Sequence, residues 1–119
     1  MWYQLIDIAS EDKGDIRAHI EVPAASPWFD GHFPGEPVLP GLAQISMVCD
    51  VIRNVSEGEL WVSHVSRVRF KRIIRPDDRL KIIASPLKEK ADAFSFRIQI
   101  QGDLVCSGVM RLKRKNHSE

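Results

Sequence analysis

The run Phe29-Asp30-Gly31-His32-Phe33-Pro34-Gly35-Glu36-Pro37-Val38-Leu39-Pro40-Gly41-Leu42-Ala43-Gln44 sets one histidine in a proline-stiffened segment. It lies nine residues ahead of the glycine of a Pro-Gly pair that opens an apolar helix. A helix start offers unpaired backbone N–H groups and a partial positive charge. Such donors can hold a developing oxyanion. A neutral imidazole beside them suits removal of a proton next to a carbonyl, because its pKa lies near working pH. The combination points to enolate or acyl-thioester chemistry. A lone histidine does not. His19 falls on the polar face of a strand and reads as solvated; His64 lies near a strand start and His117 in a terminal tail. No spacing of His with carboxylates resembles a zinc site, so no metal is expected.

The elements that must position this segment follow from periodicity. Ile16, Ala18, Ile20 and Val22 alternate with Arg17, His19 and Glu21, as in a half-buried strand. Ser10 to Gly14 supplies turn residues, which makes Tyr3 to Ala9 the other arm of a hairpin. Five of the seven prolines fall between Pro23 and Pro40, so a long, stiff, ordered loop is expected there instead of helix or central strand. Loops of that kind are often functional. Leu42 to Val55 is then the one convincing helix, with Pro40 suited to its first turn. Its apolar groups lie nearly all round, which predicts a helix surrounded by protein. Ser46, Asp50 and Asn54 form one narrow polar stripe on it.

Everything after Ser56-Glu57-Gly58-Glu59 reads as strand. Val68 and Phe70 alternate with Arg67 and Arg69; Leu80, Ile82 and Ala84 follow the Pro76-Asp77-Asp78 turn; Phe94, Phe96, Ile98 and Ile100 form a third run. Gln101-Gly102-Asp103 turns into Leu104 to Leu112. Strands, one buried helix and an antiparallel meander are met economically by a curved sheet wrapping a single helix.

Composition limits what such a domain does. The 119 residues suit one domain, 1–119, with a real core. Seventeen basic and 16 acidic side chains leave a formal charge of +1, which argues against a nucleic-acid or anionic-membrane binder. Cys49 and Cys106 build no disulfide framework and read as buried reduced thiols. With no signal peptide and no apolar run approaching the roughly 20 residues of a membrane span, a soluble cytoplasmic protein is expected.

Gly31 through Gly41 also resembles the signature loop GHFPGxPxxPG of the 3-hydroxyacyl-acyl carrier protein dehydratases, the FabZ/FabA group of hotdog-fold proteins, its ApeI-like branch included. Arg69-Phe70-Lys71-Arg72-Ile73-Ile74-Arg75-Pro76-Asp77-Asp78 is similar to that group's FKRPVxPGD strand and turn, with Asp77-Asp78 in place of Gly-Asp. Gly102-Asp103-Leu104-Val105-Cys106 is a weaker match.

The resemblance implies an α+β hotdog fold, with a long central helix wrapped by an antiparallel sheet of about five or six strands. It implies a homodimer or higher oligomer with sheets joined edge to edge. The implied activity is dehydration of 3-hydroxyacyl thioesters in fatty-acid synthesis or a related polyene or polyketide pathway. The partner is acyl carrier protein, whose phosphopantetheine carries the substrate, and no further cofactor is needed. By position, His32 matches the base that takes the C2 proton, and Gly41 the residue whose backbone N–H polarises the thioester carbonyl. Phe33, Pro40 and Leu42 are expected to bind substrate, and Lys71, Arg72 and Arg75 to meet the carrier protein. The last three equally suit a solvated strand edge.

One departure matters. The family's second catalytic group is a Glu or Asp fourteen residues after the histidine, and that position here is Ser46. Ser46 could position a water, or bond its own helix backbone. Asp50, one turn on, could supply the acid, or pair with Arg53 or Asn54 on a solvated face. Alternatively the dehydration has been lost, leaving a hotdog thioesterase or a non-catalytic acyl-thioester binder. A positioned acid is worth about 10²–10⁴-fold in rate, so the choice decides the activity.

Overall fold

The computed structural model describes residues 2–11, 13–30, 37–56, 59–90 and 92–114. Six strands form one antiparallel sheet: β1 (Gln4–Ser10), β2 (Ile16–Glu21), β3 (Leu60–Phe70), β4 (Arg79–Pro86), β5 (Ala93–Ile100) and β6 (Asp103–Arg114). Their order across the sheet is β1-β2-β4-β5-β6-β3. Among the described residues the single long helix, α1 (Gly41–Val55), lies against β2, β3 and β4. This is the hotdog architecture.

β2 forms where the alternation is cleanest, with Ile16, Ala18, Ile20 and Val22 buried and His19 exposed. His19 meets Asp7 of β1 at 2.6 Å on the outer face. Gln101 and Gly102 take φ of 50° and 84°, the paired left-handed geometry of a tight hairpin turn between β5 and β6. The core joins Met47, Val48, Val51 and Ile52 of α1 to Ile82, Phe96, Ile98 and Met110 of the sheet. Cys49 and Cys106 are buried free thiols. No helix among the described residues is long and apolar enough to cross a membrane.

Three expectations need correction. Pro40 is the N-cap residue of α1, outside its first turn, with φ −62° and ψ 153°. The proline-rich stretch is not loop throughout: Pro27–Phe29 closes a short 3-10 helix, η1. Pro27 begins it, where a missing N–H leaves no bond unmade. Nor is α1 enclosed on every side, since Leu42 is 72% exposed and Arg53 and Asn54 face out. One chain has no second layer to cover that side.

Candidate active site

The proline-rich segment is anchored on both sides of residues 31–36. On one side, Phe29 of η1 is buried and Trp28 packs against Trp2 at 5.9 Å. On the other, the Leu39 N–H donates to the Ile74 carbonyl at 2.8 Å, and the Gln44 side-chain amide donates to the Leu39 carbonyl at 3.2 Å. His32 and Phe33 lie outside the described residues.

Leu39 and Pro40 deliver the chain to α1. The Gln44 N–H donates to the Pro40 carbonyl at 3.2 Å, the first bond of the helix. The N–H groups of Gly41, Leu42 and Ala43 therefore have no carbonyl behind them in the helix. Among the described residues no side chain caps this end, and its first turn holds no acidic residue. These donors thus keep their capacity for an outside acceptor, in the favourable field of the helix terminus. Gly41 lets the Phe70 ring lie close: a Cβ there would be 2.6 Å from that ring, which would have to shift outward. Phe70, Leu42 and Ile73 are exposed apolar side chains. The structure brings the first two to this helix start.

Ser46 and Asp50 sit half-buried on α1, away from its sheet-facing side. The Ser46 hydroxyl makes no hydrogen bond among the described residues, whereas Ser56 donates to the Ile52 carbonyl at 2.7 Å. So the backbone does not absorb Ser46. Asp50 accepts a hydrogen bond at 2.8 Å from the hydroxyl of Tyr3, itself buried. Burial first, then the Asp50 hydrogen bond and charge, push the Tyr3 phenol far above its ordinary range, so it stays a donor. Arg53 does not pair with Asp50; its Nε donates to the Leu60 carbonyl. The Cys49 thiol beside them is pushed up by burial, against the pull of Arg53.

Lys71, Arg72 and Arg75 are exposed beyond the end of β3. Arg72 is held by Asp103 at 3.1 Å, and the Arg75 backbone N–H donates to the Asp78 carboxylate at 2.8 Å. Of the cluster's charges, that of Arg72 is met by a carboxylate, Asp103 at the start of β6. Among the described residues no group of His, Cys, Asp and Glu could hold a metal ion. Two residues escaped the sequence reading. Tyr3 is 47 positions from its partner Asp50, and only the adjacent pair Trp2-Tyr3 hinted at a packed aromatic start. Phe70 stood in a recognised motif but carried no sign of its contact with Gly41.

The dehydratase signature extends past the loop. A family model described as ApeI-like, ApeI dehydratase, matches residues 8–109. The chain belongs to the ApeI-like dehydratase family. It is 33% identical to the 3-hydroxyacyl-[acyl-carrier-protein] dehydratase FabZ of Caldicellulosiruptor saccharolyticus, across 89% of this chain and 84% of that one. Identity to the FabZ of Mannheimia succiniciproducens is 30%, across 84% and 73%. Among solved structures, a chain of the dehydratase heterocomplex ApeI:P from Xenorhabdus doucetiae superposes with a TM-score of 0.83. That match is 24% identical and covers 96% of this chain and 100% of the other, which establishes the fold of this ApeI-like chain.

Proposed function

We propose that this chain dehydrates 3-hydroxyacyl thioesters on acyl carrier protein to trans-2-enoyl thioesters. The observation that carries the reading is the dehydratase family match over residues 8–109, a span that holds both the His32 segment and α1. His32 takes the C2 proton. The Gly41 N–H holds the thioester oxygen as the enolate forms, supported by the uncapped start of α1. The C3–O bond then breaks as the hydroxyl receives a proton and leaves as water. Asp50 supplies that proton. It stands one turn beyond the usual acid position, roughly 6 Å along the axis, and a water held by Ser46 spans the gap. Proton return from the imidazolium to the Asp50 carboxylate restores both groups. No metal or cofactor enters this acid–base sequence.

The site is completed by a second copy. Among the described residues β3 pairs only with β6, which leaves its other edge open, and Trp61, Val65 and Phe70 on β3 are exposed. Edge-to-edge pairing of two β3 strands removes that liability and covers Leu42 and the open side of α1. Phe33, Pro40 and Leu42 then line the acyl site, with His32 of one subunit facing α1 of the other. Lys71 and Arg75 meet the acidic carrier protein in the cytoplasm, Arg72 only after leaving Asp103.

Turnover of a 3-hydroxyacyl carrier-protein substrate tests the reading. Enoyl product is expected, with a loss of at least about 10²-fold in His32→Ala. Free carrier thiol instead means a thioesterase. Binding with neither product means a non-catalytic acyl-thioester protein.

A further inference from the structure

A helix-face aspartate normally swings freely in water or leans on a cation. Asp50 does neither. Its nearest arginine on α1, Arg53, is turned to the Leu60 carbonyl, and no ion pair to Asp50 is present among the described residues. What holds it is the Tyr3 hydroxyl at 2.8 Å, on a ring only 6% exposed. That ring is itself fixed. Trp2 packs edge-on to Tyr3 at 4.8 Å and edge-on to Trp28 at 5.9 Å. Trp28 belongs to η1, two residues before Asp30 and the start of the His32 segment. One aromatic line thus runs from the root of the proposed base to the proposed acid.

We infer that Tyr3 is a positioning residue for Asp50, selecting which carboxyl oxygen delivers the proton. The inference rests on the dehydratase reading above, with Asp50 as the acid. A protonated carboxyl has one hydroxyl oxygen and one carbonyl-like oxygen. The Tyr3 hydroxyl is a donor and needs an acceptor, so Oδ2 takes the carbonyl role. The acidic proton is thereby confined to Oδ1, the oxygen that Tyr3 does not hold. Burial keeps the phenol neutral, so it remains the donor in this contact.

The test is a kinetic cycle on the full chain with a 3-hydroxyacyl carrier-protein substrate. Tyr3→Phe removes one oxygen and keeps the ring between Trp2 and α1. Its kcat should fall about 10-fold with KM within about 2-fold, at a melting temperature that shows the fold intact. Asp50→Asn should lose about 10²-fold. Adding Tyr3→Phe to Asp50→Asn should cost nothing more, because the proton to be placed is gone. Losses that multiply in the double variant overturn the inference, as does unchanged kcat in Tyr3→Phe. Full activity in Asp50→Asn, with His32→Ala still inactive, removes this inference and the acid role of Asp50 while leaving the dehydratase reading standing. Absence of enoyl product from the unaltered chain removes the dehydratase reading instead.

Discussion

The ring of Phe70, at the end of β3, lies across Gly41, the first residue of α1, so that an added methyl group would sit 2.6 Å from Cζ. The ring is about half exposed and its far end can swing outward. Gly41→Ala should therefore cost less than about 1 kcal/mol of stability while displacing the ring from the helix start. If Gly41 holds the thioester oxygen, kcat should fall about 10²-fold, since small displacements of a reacting group cost that much. Denaturant titration and enoyl formation measure the two effects; a large loss of stability with kcat retained would contradict the assignment.

Gly108 presents the opposite case. A Cβ there would meet Phe96 Cζ at 2.6 Å and Val68 Cγ2 at 3.2 Å, and Phe96 is almost wholly buried. That ring has nowhere to go. Gly108→Ala should destabilise by about 1–3 kcal/mol, read as a lower denaturant midpoint at unchanged slope.

Asp77 stands at φ +68°, where the resembling motif has glycine. Its backbone N–H donates to the Val22 carbonyl at 2.8 Å, a bond that glycine keeps. A side chain in left-handed geometry costs up to roughly 1–2 kcal/mol, less for Asp. Asp77→Gly should raise stability by up to about 1 kcal/mol after its larger unfolded-state entropy is counted. A loss instead would mean that the carboxylate contributes to the turn.

Burial pushes the Cys106 thiol up to about 11, against about 8.5 in an unfolded chain. A raised folded pKa gives a contribution that is complete below the unfolded value and lost as pH rises through the folded one. Stability should therefore hold to about pH 8.5 and decline toward pH 11. Cys106→Ala should flatten that decline, though its lost packing lowers stability at every pH. Denaturant midpoints measured from pH 7 to 11 check both.

The parts of this fold that were legible are those whose signal is local. β2 shows its inward face because Ile16 to Val22 alternate without a break, and the β5–β6 hairpin shows itself at Gln101-Gly102. β3 was only half visible, as Val68 to Phe70. It begins at Leu60, and Arg67 takes φ +55° beside a register shift between Ser66 and Arg69. Such a bulge interrupts the two-residue period on which the reading relied. The site divides in the same way. Gly41 and the Ser46–Asp50 stripe follow from spacing along one helix, but the Tyr3–Asp50 bond joins residues 47 apart and no local pattern encodes it.

The strand order carries a consequence for synthesis. Among the described residues β3 is third in order but hydrogen-bonds only to β6, the sixth strand. On the ribosome, a nascent chain complete through β5 can zip β1, β2, β4 and β5 together while β3 waits with both margins bare. The open interval ends only when Asp103–Arg114 clears the exit tunnel and slots between β5 and β3, closing the sheet after translation has passed it.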